Sequence, residues 1–172
     1  VCSDTQVPVI LTQRSLTAFV NRDGHQVLVP DLATDLGQAS ADGLTWTFHL
    51  RDGLKFSDGS PLKASDVAAS LNAARSSEKS VWKDNYKAIK SVEATDDKTV
   101  KIVLSQPYAP LLSVLAMFSG GVLPADLVKA SEAKDFDNAN AWKTKGSGAY
   151  SVDGWKKGDP LMVLEDEGPK NA

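Results

Sequence analysis

Cysteine occurs once in the 172 residues, as Cys2, so no disulfide can form within the chain. Histidine occurs twice, as His25 and His49, far apart and with neither an acidic cluster nor a CxxC beside them. That spacing carries no metal signature. No block of like charges is present, and the net charge of −3 argues against nucleic acid as a partner, because phosphate binding needs a basic surface. No apolar run approaches the ~20 residues of a membrane-spanning helix. The longest apolar-rich stretch, residues 109–117, is broken by Pro110 and Ser113. The opening VCSDTQ has no basic region and no apolar region of a targeting signal. Cys2 stands near the start, where a lipid could be attached, but no L-x-G precedes it, and the plain reading is a spare thiol. The P-loop Lys-Ser/Thr is missing after the GSGAY of residues 146–150, and no helix is expected there, so a phosphate cradle is excluded. There is no G-x-S-x-G nucleophile elbow either.

What is present is an ordinary globular composition. An apolar share of 42% and a charged share of 24% in a chain this long suffice for one domain with a real core. Residues 9–19 (VILTQRSLTAF) loosely fit a helical period. Asp23-Gly24 predicts a two-residue hairpin turn, and Pro30 ends the strand after it. Residues 45–50 (TWTFHL) alternate Trp46, Phe48 and Leu50 with polar residues, as a half-buried strand does. Asp52-Gly53 and Asp58-Gly59 mark further turns. PLKASDVAASLNAAR reads as a helix capped by Ser65, with Asp66 favouring the first-turn dipole and Val67, Leu71 and Ala74 on one face.

SVWKDNYKAI suggests a second, shorter helix carrying Trp82, Tyr86 and Ile89. SVEATDDKTVKIVL reads as a hairpin around Asp96-Asp97-Lys98. SQPYAPLLSVLAMF becomes helical with Leu111, Leu112, Leu115 and Ala116 buried, and is stopped by Gly120-Gly121. A short strand, a proline and a helix follow in VLPADLVKASEAKDF. Two strands, AYSVDGW and LMVLED, end the pattern. His49 points opposite to Phe48 and Leu50, which predicts an exposed strand histidine, and His25 follows a turn glycine. The carboxylates sit in turns and caps, where turn geometry explains them better than acid–base chemistry. No nucleophile stands beside an obvious base, so a small hydrolase has no sequence support.

Four segments, in order, resemble one family. LVPDLATDL…DGLTWTFHLRDGLKFSDGSPLKASDVAASLN, AIKSVEATDDKTVKIVLSQPYAPLLSVLA, VLPADLV and GSGAYSVDGWKKGDPLMVLEDE are similar to successive motifs of the family 5 extracellular solute-binding proteins. These are the oligopeptide-, dipeptide- and nickel-binding receptors of bacterial ABC importers. The resemblance covers residues 11–167, and Ala149 stands where the family usually has proline.

That resemblance implies an α+β fold, the amino-terminal lobe of a type II periplasmic-binding-protein fold, with helices packed on a small, mostly antiparallel sheet. Residues 1–172 would form a single domain, a partial lobe with 168–172 as a tail. Trp46, Phe48, Leu50, Leu54 and Phe56 would be core-facing scaffold.

The resemblance implies a binding role, not an enzyme, with no catalytic residues, no metal and no cofactor. The solute would lie non-covalently between two lobes that close by hinge motion, one of them represented here. By position, ligand contacts would come from Thr5 and Gln6, from Trp82 and Tyr86, and from Met117, Phe118 and Ser119. A helix end running into Gly120-Gly121 offers backbone groups beside an aromatic ring, which suits an extended peptide. The implied partners are a peptide or other small solute and the membrane permease of an ABC importer, and not nucleic acid. Self-association through the face the second lobe would cover is a further expectation. The implied location is periplasmic or extracellular, with a lipoprotein anchor as one form of the full-length parent. The alternative reading is a separated relative of the same scaffold acting as a protein-interaction module, marked by a large exposed apolar patch.

Overall fold

A computed structural model describes residues 12–78, 80–132, 146–148, 150–154 and 162–165. Strands β1 (Thr17–Arg22) and β2 (His25–Pro30) pair antiparallel as a hairpin. Asp23 and Gly24 turn it with φ of 51° and 80°, the left-handed pair whose twist matches that of the flanking strands. Residues 17–19 are therefore strand and not the end of a helix, while residues 9–11 lie outside the described residues. Thr17, Phe19 and Val20 suit a pleated surface, and pairing with β2 overrides the loose helical period.

Strands β3 (Gln38–Ala39), β4 (Thr45–His49), β5 (Ile89–Ala94) and β6 (Thr99–Leu104) form one antiparallel sheet in the order β3-β4-β6-β5. Trp46 stands opposite Ile102 and Phe48 opposite Val100, with Val92 beyond Ile102. Phe48, Val92, Val100 and Ile102 are buried, and Trp46 packs half-buried against them. The alternate residues Thr45, Thr47 and Lys101 are only half-buried and His49 is exposed, its Nδ1 3.2 Å from the Thr99 hydroxyl. The sheet thus has one wet face and one dry face, as its period-two pattern requires.

Helix α1 (Ala64–Ser76) lies against β5 and β6 and covers the dry face. Its buried Ala64, Val67, Ala68 and Leu71 recur at helical spacing. Ser65 is exposed and does not cap it. The cap position is Lys63, and the Asp66 carboxylate reaches back to accept the Lys63 N–H at 2.8 Å. The other Asp66 oxygen accepts the Ala125 N–H at 2.8 Å, which fixes the start of α3 (Ala125–Glu132). Val122 and Leu123 before it join no strand, because Val122 N–H goes to the Arg14 carbonyl and Leu123 N–H to the Ser70 hydroxyl. Leu54 and Phe56 are core residues as expected, but they lie in a turn region with a single bridge from Lys55 to Pro61.

The helix expected over SVWKDNYKAI is a short 3₁₀ turn, Lys83–Tyr86. Ile89 is needed opposite Leu104 to start β5, so the chain has no room for further helical turns. Helix α2 (Leu111–Leu115) is followed by a second 3₁₀ turn, Phe118–Gly120. Strands β7 (Tyr150–Gly154) and β8 (Met162–Glu165) pair antiparallel.

The Gly-Ser-Gly of residues 146–148 is a strap tied to two distant segments. Ser57 N–H donates to the Gly146 carbonyl and Gly148 N–H to the Thr12 carbonyl, each at 2.8 Å. Arg14 N–H donates to the Ser147 hydroxyl at 2.9 Å. Beside it, Arg14 Nε donates to an Asp31 oxygen at 2.7 Å, and Arg51 Nε donates to the Asp31 carbonyl at 2.8 Å. Every one of these groups serves the fold.

Two substitutions test this packing. A Cβ added at Gly37, whose φ is +83°, would meet the buried Phe48 ring at 2.5 Å. Gly37→Ala is expected to cost about 2–3 kcal/mol of stability by urea unfolding. Asp66→Ala is expected to cost about 1–2 kcal/mol and to speed amide exchange at Ala125, with Asp66→Asn losing less.

Candidate ligand-binding site

The two 3₁₀ turns are joined side to side by three successive contacts. The Trp82 and Phe118 rings meet edge to face, centroids 4.9 Å apart at 87°. Asn85 Nδ2 donates to the Met117 sulfur at 3.6 Å. The Tyr86 hydroxyl lies 2.8 Å from the Ser119 hydroxyl. A 3₁₀ turn brings residues three apart to the same side, so Trp82 and Asn85 face one neighbour together.

Each turn is shaped by local chemistry. Asn85 N–H donates to the Trp82 carbonyl at 2.9 Å, closing the first turn. In the second, Gly120 N–H donates to the Met117 carbonyl at 2.8 Å. A Cβ at Gly120 would stand 2.7 Å from the Leu115 carbonyl oxygen, so only glycine lets the chain double back so closely on α2. The Thr17 hydroxyl ties α2 to the hairpin by donating to the Leu112 carbonyl at 2.9 Å.

The sequence-predicted contacts fall into three groups. Thr5 and Gln6 lie outside the described residues. Trp82, Met117, Phe118 and Ser119 are brought together and are half-buried. Tyr86 joins the same cluster from beneath, fully buried in the core. Burial pushes its phenol pKa above the ordinary value, partly offset by the Ser119 hydrogen bond, so it stays neutral. The cluster therefore has a core anchor in Tyr86 and a half-buried surface built from the other four residues and Asn85.

Asn85 was not legible as a site residue from composition. Its three-residue spacing from Trp82 was the available signal, once the turn is recognised as 3₁₀. Gln13 was missed for another reason. It sits against Gly121, where a Cβ would lie 2.5 Å from its amide oxygen, and only tertiary folding brings it there. Among the described residues, no group of three or more His, Cys, Asp or Glu is placed to hold a metal ion, and no helix is long and apolar enough to cross a membrane. The surface described is polar and aromatic, suited to holding a solute by hydrogen bonds and ring contacts.

Comparison with known proteins finds relatives among solute-binding proteins. Residues 27–167 match the family model described as bacterial extracellular solute-binding proteins, family 5 Middle. The chain is 35% identical over 134 residues to the probable D,D-dipeptide-binding periplasmic protein DdpA of Escherichia coli (strain K12), covering 78% of this chain and 26% of that protein. It is 36% identical over 131 residues to the glutathione-binding protein GsiB of Escherichia coli O1:K1 / APEC, covering 75% of this chain and 24% of that protein. The crystal structure of NikZ from Campylobacter jejuni in complex with Ni(L-His) superposes with a TM-score of 0.78 at 32% identity, over 91% of this chain and 30% of NikZ. The chain thus spans about a quarter of the length of the curated relatives it matches.

The ring contact between the two turns is open to test. Replacing Trp82 and Phe118 by leucine singly and together should give a coupling of about 0.5–1.5 kcal/mol in urea unfolding.

Proposed function

We propose a function from one premise: the chain belongs to family 5 of the bacterial extracellular solute-binding proteins. In this reading it supplies part of one wall of a receptor that holds a peptide or amino-acid-derived solute and hands it to the membrane permease of an ABC importer. The observation that carries the reading is the joining of the two 3₁₀ turns, which gathers Trp82, Asn85, Met117, Phe118 and Ser119 on one half-buried surface. Rings and a thioether offer apolar contact there, and amide and hydroxyl groups offer hydrogen bonds. The ligands named for the relatives, a D,D-dipeptide, glutathione and Ni(L-His), all carry amino-acid groups, which supports a solute of that chemistry.

The role is binding without covalent chemistry, outside the cytoplasm as the family description states. The comparisons give no support to a separate protein-interaction module or to self-association. A second lobe closing over the solute belongs to the same proposal, because the chain covers only part of its relatives.

Thermal melting of the 172-residue chain with D-alanyl-D-alanine, glutathione or the nickel–L-histidine complex tests the reading. A solute that binds only the folded state raises the melting temperature, by about 2.7 kcal/mol of added stability at a hundredfold excess over Kd. At least one of the three is expected to raise it, and Trp82→Ala is expected to shrink that rise. A melt unmoved by all three probes counts against the proposal.

A further inference from the structure

Tyr86 and Ser119 share one hydrogen bond, and the direction of its proton decides what the wall can offer a solute. The tyrosine has a single proton and two oxygens near it. The Ser119 hydroxyl is at 2.8 Å and the Val114 carbonyl at 3.5 Å. An O–H to O hydrogen bond ordinarily spans about 2.5–3.0 Å, so the carbonyl is too far. A phenol is a stronger acid than an alkyl alcohol and is therefore the better donor of the two, the alcohol being the better acceptor. The tyrosine proton goes to Ser119.

The serine oxygen then has an accepted proton on its core side, because Tyr86 is fully buried beneath it. Its own proton is directed away from Tyr86, and no described protein acceptor takes it. Ser119 itself is only half-buried and neighbours Phe118, which meets Trp82. We infer that Ser119 is a hydrogen-bond donor to an acceptor oxygen of the solute, a carboxylate or a carbonyl, and that Tyr86 is the positioning residue that sets its polarity. The inference rests on the proposed reading of this surface as a ligand wall, and it deepens that reading by naming the group the wall recognises.

The test is a double-mutant cycle in solute affinity. Titration calorimetry with D-alanyl-D-alanine, glutathione and nickel–L-histidine is run on the wild-type chain, Ser119→Ala, Tyr86→Phe, the double variant and Trp82→Ala. Tyr86→Phe keeps the buried ring, and melting curves confirm that each variant is folded. Loss of a hydrogen bond to a charged acceptor should make Ser119→Ala about tenfold weaker for the probe that binds. Tyr86→Phe should weaken binding about threefold, and the double variant should bind no worse than Ser119→Ala alone. A Tyr86→Phe loss that persists in full without the Ser119 hydroxyl overturns the positioning role, as does Tyr86→Phe binding like wild type. If Trp82→Ala weakens binding while Ser119→Ala does not, the donor assignment falls and the ligand wall stands. If no probe binds, or if neither Trp82→Ala nor Ser119→Ala alters binding, the reading of the wall falls and the inference with it.

Discussion

A four-stranded sheet with one apolar face has to hide that face, and α1 is the element that hides it. Phe48, Val100 and Ile102 are buried in one cluster with Val67 and Leu71. The placement of α1 therefore constrains the later segments of the chain. Asp66 turns that placement into a joint, one oxygen ending the approach to α1 and the other starting α3. Gly37 yields space to the Phe48 ring at the other end of the same layer.

The candidate site is joined to this core through Tyr86 and Trp82. Tyr86 is buried in the same cluster as Phe48 and Leu71, and its hydroxyl reaches up to Ser119. The surface residues around it are attached to the core through Tyr86 and through Trp82, which packs against it, and to each other by a ring contact and a weak amide–sulfur bond. A wall built this way is preorganised, so less side-chain freedom remains to be lost when a solute binds. The strap of residues 146–148, tied to Thr12, Arg14 and Ser57, braces segments far apart in the chain.

Much of the scaffold was legible because it obeys short-range rules. The Asp23-Gly24 turn, the alternation of residues 45–50, the β5–β6 hairpin and the apolar stripe of α1 each follow from local conformational preference combined with burial on one face. The misreadings came where tertiary pairing outweighed local preference. Residues 17–19 were drawn into a hairpin, and the segment carrying Trp82 and Tyr86 was cut to one 3₁₀ turn by the demand that Ile89 start a strand. The cap of α1 was misplaced by two positions: Ser65 is the commoner cap residue type, but the cap is Lys63, and Asp66, three positions on from it, reaches back to its N–H.

The sequence by itself determined the family, the alternation that buries one sheet face, and the turn positions, because those are set by residue type at fixed spacing. Through the resemblance it also supplied Thr5, Gln6, Trp82, Tyr86, Met117, Phe118 and Ser119 as candidates, of which Thr5 and Gln6 lie outside the described residues. Only the tertiary structure decided that Trp82, Met117, Phe118 and Ser119 meet, that Tyr86 supports them from within the core, and that Asn85 and Gln13 stand beside them. Residues 82–86 and 117–121 are about thirty positions apart, and no local preference relates them. Their meeting follows from packing around the core, with α1 touching both turns, a long-range consequence of burying apolar surface rather than of any motif in either segment.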